Sequence, residues 1–228
     1  MRYARLGLLA GAFVAGLSGC GEPATSPEQK QVASGPAAAD PEMARKMAEA
    51  KAAYEKLSPQ EKAKLQEDAE RVANTMPLPL AEAGRIPVTA QGRPETTLAA
   101  LAAPGRPTVV AAWASWCVPC KMEARDLARL RQRQGPDALN IVYLNVGDPK
   151  VEASKGPVFL RETGAEALGL TMLDRDDFLK LTRVDQLSIP RVLIYDANGQ
   201  PTKVISGAIT GKADTRIEDA LRPLLSGA

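Results

Sequence analysis

The chain has 228 residues, of which 45% are hydrophobic and 25% charged, and its formal net charge is +2. This composition is ordinary for a soluble globular domain with extensions, and the lack of a basic stripe argues against a nucleic-acid partner. The chain contains no histidine and only three cysteines, Cys20, Cys117 and Cys120. A closed zinc site needs four ligands, usually from two Cys or His pairs, so we expect no metal site.

The first twenty residues have the order of an export signal. Two arginines precede an apolar run over residues 6–17, which is too short to span a bilayer comfortably. Residues 17–20, LSGC, resemble the lipobox of bacterial lipoproteins. The resemblance implies a signal peptide over residues 1–19 and lipid attached to Cys20, which would anchor the protein to a membrane of the cell envelope. By resemblance to the sorting rules of two-membrane bacteria, Gly21 after the cysteine implies the outer membrane and not the inner one. An ordinary cleaved signal peptide is the alternative.

A tether and a helical pair follow the signal. Residues 20–40 are rich in Pro, Ser, Gly, Ala and Thr, as in flexible tethers. Over residues 41–76 apolar side chains recur at spacings of three and four, which predicts two helices. Ser58, followed by Pro59 and by Glu61, matches a capping box at the start of the second helix. The pair is either a spacer or hairpin packed on the next domain, or a surface for a partner.

Residues 77–228 alternate between strand and helix patterns. Apolar runs predict strands over 108–113, 141–146, 170–173, 191–195 and 203–206. Amphipathic stretches predict helices from near 117 to about 133, over 155–163 and 176–182, and from 214 to about 221. This alternation predicts an α/β sheet with helices on both faces.

Residues 113–120 read WASWCVPC and fall at a predicted strand-to-helix junction. This motif resembles the active site of thioredoxin-like proteins, in particular the exported TlpA/ResA type of thiol–disulfide oxidoreductase. Ile189 and Pro190 before a hairpin strand, and Glu123 three residues past the second cysteine, also carry the resemblance, which covers about residues 78–226. It implies a thioredoxin-like fold, with a central mixed sheet and helices on both faces, preceded here by the helical segment.

The two cysteines of the motif are the expected working group. A helix N-terminus lowers the pKa of a cysteine, and disulfide exchange needs a thiolate. We therefore expect Cys117 to be the nucleophile and Cys120 the resolving thiol. An inert staple is the alternative, but so short a loop gains little stability from closure. No cofactor fingerprint is present, so the redox-active pair would work without another cofactor.

The resemblance implies roles for further residues. Pro190 matches the family's cis-proline, whose loop faces the cysteines, and the backbone of Ile189 would pair with the substrate chain. Trp116 would be a substrate platform, with core packing as the alternative. Glu123 matches a glutamate that moves protons and tunes the thiols; the alternative is a carboxylate that only favours the first helical turn. Ala111 stands where thioredoxin carries a buried aspartate, so we expect Glu123 to be the only nearby acid.

These features predict an exported, membrane-tethered disulfide reductase facing the periplasm. It would take electrons from a membrane thiol-reducing donor and pass them to protein disulfides outside the cytosol. The candidate substrates are apocytochrome c (cytochrome c maturation), other secreted proteins and copper-site proteins, and the sequence does not choose among them. Val118 and Pro119 between the cysteines, with no histidine beside the thiolate, favour a reductant. Arg191 departs from the family pattern and leaves the substrate open. The alternatives are an oxidase or isomerase of the same fold, or a redox-inactive lipoprotein that binds a partner.

Overall fold

The computed structural model of the chain describes residues 41–207 and 215–226. The predicted signal peptide, the tether and Cys20 lie outside the described residues. The described helices are α1 (Pro41–Glu55), α2 (Pro59–Asn74), α3 (Leu80–Ala83), α4 (Leu98–Leu101), α5 (Cys120–Gln134), α6 (Pro149–Thr163), α7 (Arg175–Thr182) and α8 (Arg216–Leu225), with a 3₁₀ helix at Glu166–Leu168. The described strands are β1 (Pro87–Ala90), β2 (Arg93–Thr97), β3 (Thr108–Trp113), β4 (Asn140–Asn145), β5 (Thr171–Met172), β6 (Arg191–Tyr195) and β7 (Pro201–Ser206).

The described strands form one mixed sheet in the order β2-β1-β5-β4-β3-β6-β7. The pairs β3–β4 and β4–β5 are parallel, while β6 runs antiparallel to both β3 and β7. Ala112 lies opposite Arg191 in the β3–β6 ladder. Continuing this register by one residue sets Pro190 against Trp113, at the end of β3 where the cysteine motif begins.

Both faces of the sheet are covered, so the predicted α/β architecture is confirmed. Every residue of β3 is buried. Val109, Ala111 and Trp113 belong to the core cluster that also contains side chains of α5, α6 and α8. Val110 and Ala112 belong to a second cluster, with side chains of α3, α4 and α7. Because successive side chains of a strand point to opposite faces, a continuous apolar run such as β3 supplies both cores.

The C-terminal end of the helical pair, which is the end of α2, contacts the sheet domain. The capping box is present, because the Ser58 hydroxyl accepts from the Glu61 N–H at 3.3 Å and the Ser58 N–H donates to the Glu61 carboxylate at 2.8 Å. Val72 of α2 is buried. The Arg191 guanidinium donates to the Thr75 carbonyl at 3.0 Å. The end of α2 is thus packed on the domain, as the first of the two interpretations expects.

Several boundaries differ from the predictions. Helix α5 begins at Cys120 and not near Cys117, because the N–H groups of Cys120 and Lys121 bond to carbonyls three residues back, in a tighter turn than the α-helix. Helix α6 begins at Pro149 and not at residue 155, since Asp148 caps it by accepting from the Lys150 N–H at 2.9 Å. The β1–β2 hairpin was not predicted. The predicted helix start at residue 214 lies outside the described residues.

Candidate active site

Cys117 and Cys120 lie at the junction of β3 and α5, where they form a disulfide. Cys117 is 4% exposed and Cys120 is 0% exposed, so of the two cysteines only Cys117 has any contact with solvent. Cys117 precedes the first turn of α5, where the positive end of the helix dipole favours negative charge. The arrangement suits Cys117 as the attacking thiolate and Cys120 as the resolving thiol.

Exposed apolar side chains lie next to the two cysteines in the chain, and we call them the rim. Trp116 is 54% exposed, which is unusual for a residue of its size, and Val118 and Met122 are also exposed. Ile189 packs against both core clusters, and the Ile189–Pro190 peptide bond is cis, as the resemblance implies. The register of β3 and β6 brings this loop to the same end of the sheet as the cysteine motif.

Glu123 is a buried acid on the first turn of α5. Its side chain is 1% exposed, and its Oε1 atom has no hydrogen-bond partner among the described residues. Burial raises the pKa of Glu123 to about 8, the positive charge of Arg216 opposes this rise, and the negative charge of Asp126 adds to it. The interpretation as a carboxylate that merely favours the first helical turn does not account for this burial, because an ionised acid is costly to bury without donors.

A stack of three buried aromatic rings contacts the start of α5. Trp113 is fully buried, and its ring stacks on those of Tyr143 and Phe159, with centroids 4.8 Å and 4.5 Å away. The Tyr143 hydroxyl donates to the carbonyl of Cys120 at 3.4 Å. Burial, and secondly the charge of Glu123, raise the pKa of Tyr143 well above its usual value, which keeps it a hydrogen-bond donor.

A second buried acid was missed in the sequence. Glu152 of α6 is fully buried and accepts hydrogen bonds from both the N–H and the hydroxyl of Ser115, two residues before the first cysteine. The expectation that Glu123 is the only nearby acid is therefore wrong. The signal was present, since Asp148 and Pro149 mark a helix start that sets Glu152 on the first turn of α6.

Known proteins share parts of this sequence. The chain is 30% identical over 117 residues to "Thiol-disulfide oxidoreductase ResA" of Geobacillus thermodenitrificans, which covers 49% of the chain and 60% of that relative. It is 31% identical over 124 residues to "Thiol:disulfide interchange protein HelX" of Rhodobacter capsulatus, which covers 54% of the chain and 63% of the relative. The chain therefore spans less than two thirds of the length of these curated relatives. It matches no protein-family model.

The fold is shared with solved structures. An uncharacterized thioredoxin-like protein from Porphyromonas gingivalis superposes with a TM-score of 0.52 at 19% identity, covering 68% of this chain and 96% of that one. At such low identity the likeness bears on the fold alone, and that fold is thioredoxin-like. The shared fold shows that the chain carries a thioredoxin-like domain, and the sequence relatives show that this domain is similar to proteins named as ResA and HelX thiol–disulfide oxidoreductase and interchange proteins, which agrees with the resemblance.

Proposed function

We propose that this protein reduces disulfides of proteins outside the cytosol by dithiol–disulfide exchange. The observation that carries the proposal is the Cys117–Cys120 disulfide at the start of α5, in which only Cys117 has any exposure. A helix N-terminus is a place where a cysteine readily becomes a thiolate. The relatives named as thiol–disulfide oxidoreductase and interchange proteins support the same chemistry.

The exchange takes two steps. In the reduced protein, the Cys117 thiolate attacks one sulfur of the substrate disulfide, that bond breaks, and one substrate thiolate leaves. The Cys120 thiolate then attacks the Cys117 sulfur, which releases the second substrate thiolate and forms the Cys117–Cys120 disulfide. Two electrons pass to the substrate, whose two thiolates take up two protons. A dithiol donor restores the reduced pair by the same steps in reverse.

Glu123 is the proposed proton acceptor for the second step. Cys120 has no exposure to water, so its thiol needs an internal group to receive its proton. Glu123 lies one turn further along α5, and its pKa of about 8 leaves a minor ionised fraction near neutral pH, which accepts this proton and can later release it.

The exposed rim is the proposed substrate surface. Trp116, Val118 and Met122 offer apolar area to residues that flank the substrate disulfide. The backbone of Ile189, before Pro190, would pair with the substrate chain, as the resemblance implies. We expect Trp116→Ala to raise KM for a protein disulfide while reduction of a small disulfide is retained.

We further propose that the protein is a periplasm-facing lipoprotein, held by lipid on Cys20, with the outer membrane favoured. The likeness of residues 17–20 to a lipobox supports this location. Among the residues that the structure describes, no helix has both the length and the apolarity to cross a bilayer. Because this compartment oxidises thiols, a reductase there needs electrons from a membrane thiol-reducing donor. We expect Cys20→Ala to move the protein from the membrane fraction to the soluble fraction.

The direction of the reaction is tested by the reduction potential of the pair. We expect a value near thioredoxin's, roughly −270 mV, after equilibration with thiol buffers. A value of roughly −120 mV would instead indicate a disulfide donor, and the direction of the proposed reaction would be reversed. We expect Cys117→Ser to abolish exchange and Cys120→Ser to accumulate the mixed disulfide with substrate.

The cellular role is tested with the same variants. If apocytochrome c is a substrate, cells with Cys117→Ser lose covalently bound haem, and an added small-molecule reductant restores it. An unchanged phenotype in cells that lack both cysteines of the pair would support the alternative of a redox-inactive lipoprotein that acts through partner binding.

A further inference from the structure

A tight turn sets the position of Cys117. Residues 114–117 form this turn, which is closed by a hydrogen bond of 3.0 Å from the Cys117 N–H to the Ala114 carbonyl. Ser115 and Trp116 are its two central residues. The turn begins directly after Trp113, the last residue of β3, and ends at the first cysteine, so Ser115 lies between the strand and Cys117.

One buried carboxylate holds this turn. The Ser115 N–H donates to the two Glu152 oxygens at 3.1 Å and 3.2 Å, and the Ser115 hydroxyl donates to Oε1 at 2.8 Å. The Asn145 amide donates to Oε2 at 2.7 Å. Every one of these partners is a donor, which suits an ionised carboxylate, and the ion pairs of the described residues include none to Glu152.

The surroundings are shaped for this carboxylate. Gly147 donates its N–H to the Asn145 side-chain oxygen at 2.9 Å, which orients the Asn145 amide toward Glu152. A Cβ on Gly147 would lie 2.6 Å from Glu152 Oε1 and 2.7 Å from its Cγ, so only glycine fits beside the carboxylate. A buried anion is costly unless donors compensate it. The donors that compensate this anion come from the active-site turn and from the end of β4.

We propose that Glu152 is a positioning residue that holds the active-site turn and keeps the Cys117–Cys120 pair reducing. The inference rests on the proposed function, because it requires that this cysteine pair exchanges with thiols. Two effects of Glu152 act in the same direction. A fixed turn keeps the two sulfurs close and so favours the disulfide, and a negative charge beside the turn disfavours the Cys117 thiolate of the reduced form. Both effects make the reduced pair a stronger electron donor.

Glu152→Gln tests the proposal at nearly constant volume. The amide has one oxygen acceptor and one NH₂ donor, so either the Ser115 N–H or the Asn145 amide then faces a donor. The variant also loses the negative charge. We expect the equilibrium constant for oxidation of the pair by glutathione disulfide to fall about tenfold, which makes the potential about 30 mV more positive.

The measured reaction is the exchange of the protein dithiol with glutathione disulfide, which gives the protein disulfide and two glutathione thiols. The reduced fraction is read by alkylation and mass spectrometry across a series of glutathione ratios. Glu166→Gln is the matched control, because Glu166 is exposed and its change removes the same charge away from the turn. An equilibrium constant for Glu152→Gln within twofold of the control, with only a lower unfolding temperature, would reduce Glu152 to a structural role and overturn the proposal.

Ser115→Ala keeps the proposal testable if Glu152→Gln does not fold. It removes the hydroxyl contact and leaves the main-chain contact, so we expect a shift of the same sign, about threefold. No shift in Ser115→Ala would overturn the proposal. A pair that fails to exchange with glutathione even in the parent protein would refute the proposed function itself, so the two failures are distinguishable.

Discussion

Replacement of Glu123 by glutamine should change how stability depends on pH. The pKa of the Glu123 carboxyl is raised by burial from 4.5 to about 8 in the folded protein. Below pH about 4.5 the acid is neutral in both folded and unfolded chains, so the folded state carries no penalty. As the pH rises, the unfolded chain ionises first, which favours unfolding, and the loss of stability is complete once the pH passes about 8.

The size of this loss of stability follows from the shift in the pKa of Glu123. Each unit of pKa difference is worth about 1.4 kcal/mol, so the parent protein should lose roughly 3 kcal/mol of unfolding free energy between pH 5 and pH 8. Glu123→Gln lacks the titrating group and should not show this loss. The unfolding free energy of Glu123→Gln should therefore rise steadily relative to that of the parent between pH 5 and pH 8, whatever the difference between the two proteins at pH 5.

Urea unfolding of the oxidised protein is the suitable assay. Disulfide cysteines do not titrate and the chain contains no histidine, so few other groups change charge in this range. Glu166→Gln serves as the control. Its unfolding free energy should depend on pH as that of the parent does, because Glu123 is intact in this variant. Parallel curves of unfolding free energy against pH for the parent and Glu123→Gln would refute the claim that burial holds this acid neutral.

Three further predictions concern the surrounding structure. Arg191→Met should lower the unfolding free energy by about 2–3 kcal/mol and speed amide hydrogen exchange in α2, because the Thr75 carbonyl loses a charged donor. Ser58→Ala should cost about 1 kcal/mol through loss of the capping box, seen in urea unfolding, and leave the reduction potential unchanged. Gly147→Ala should displace Glu152 and shift the glutathione equilibrium in the direction of Glu152→Gln.

The central strands were predictable from the sequence because their apolar runs are long and uninterrupted. Strands β3 and β6 have the predicted bounds, since burial on both faces leaves a continuous run of apolar residues. The hairpin of β1 and β2 has no such run, because it lies at the edge of the sheet. It contains Pro87 and Pro94 and turns through Gly92, whose φ is 76°, and prolines in a pattern argue against a strand.

The candidate site was predictable where its residues are close in sequence and not where they are distant. The cysteine motif and Glu123 fall within a few positions of one another. Glu152 contacts Ser115 across 37 residues, and no local pattern records that contact. The environment of Glu123 depends likewise on distant parts of the chain, since the charge of Arg216 acts on it, so the sequence alone left two interpretations of this acid open.

The two buried acids near the cysteine motif differ in their hydrogen-bond donors. Glu123 has an oxygen without any donor among the described residues, and its neutral form is favoured, so it can take up and release protons. Glu152 is supplied with donors by Ser115 and Asn145, so its ionised form is satisfied and it can act as a fixed anchor. A single acid could not serve both needs, because a group that titrates near neutral pH changes its hydrogen bonds each time it gains a proton. We therefore expect Glu123→Gln to slow the attack of Cys120 on the mixed disulfide and to leave the turn at residues 114–117 intact. We expect Glu152→Gln to shift the equilibrium of the cysteine pair with glutathione.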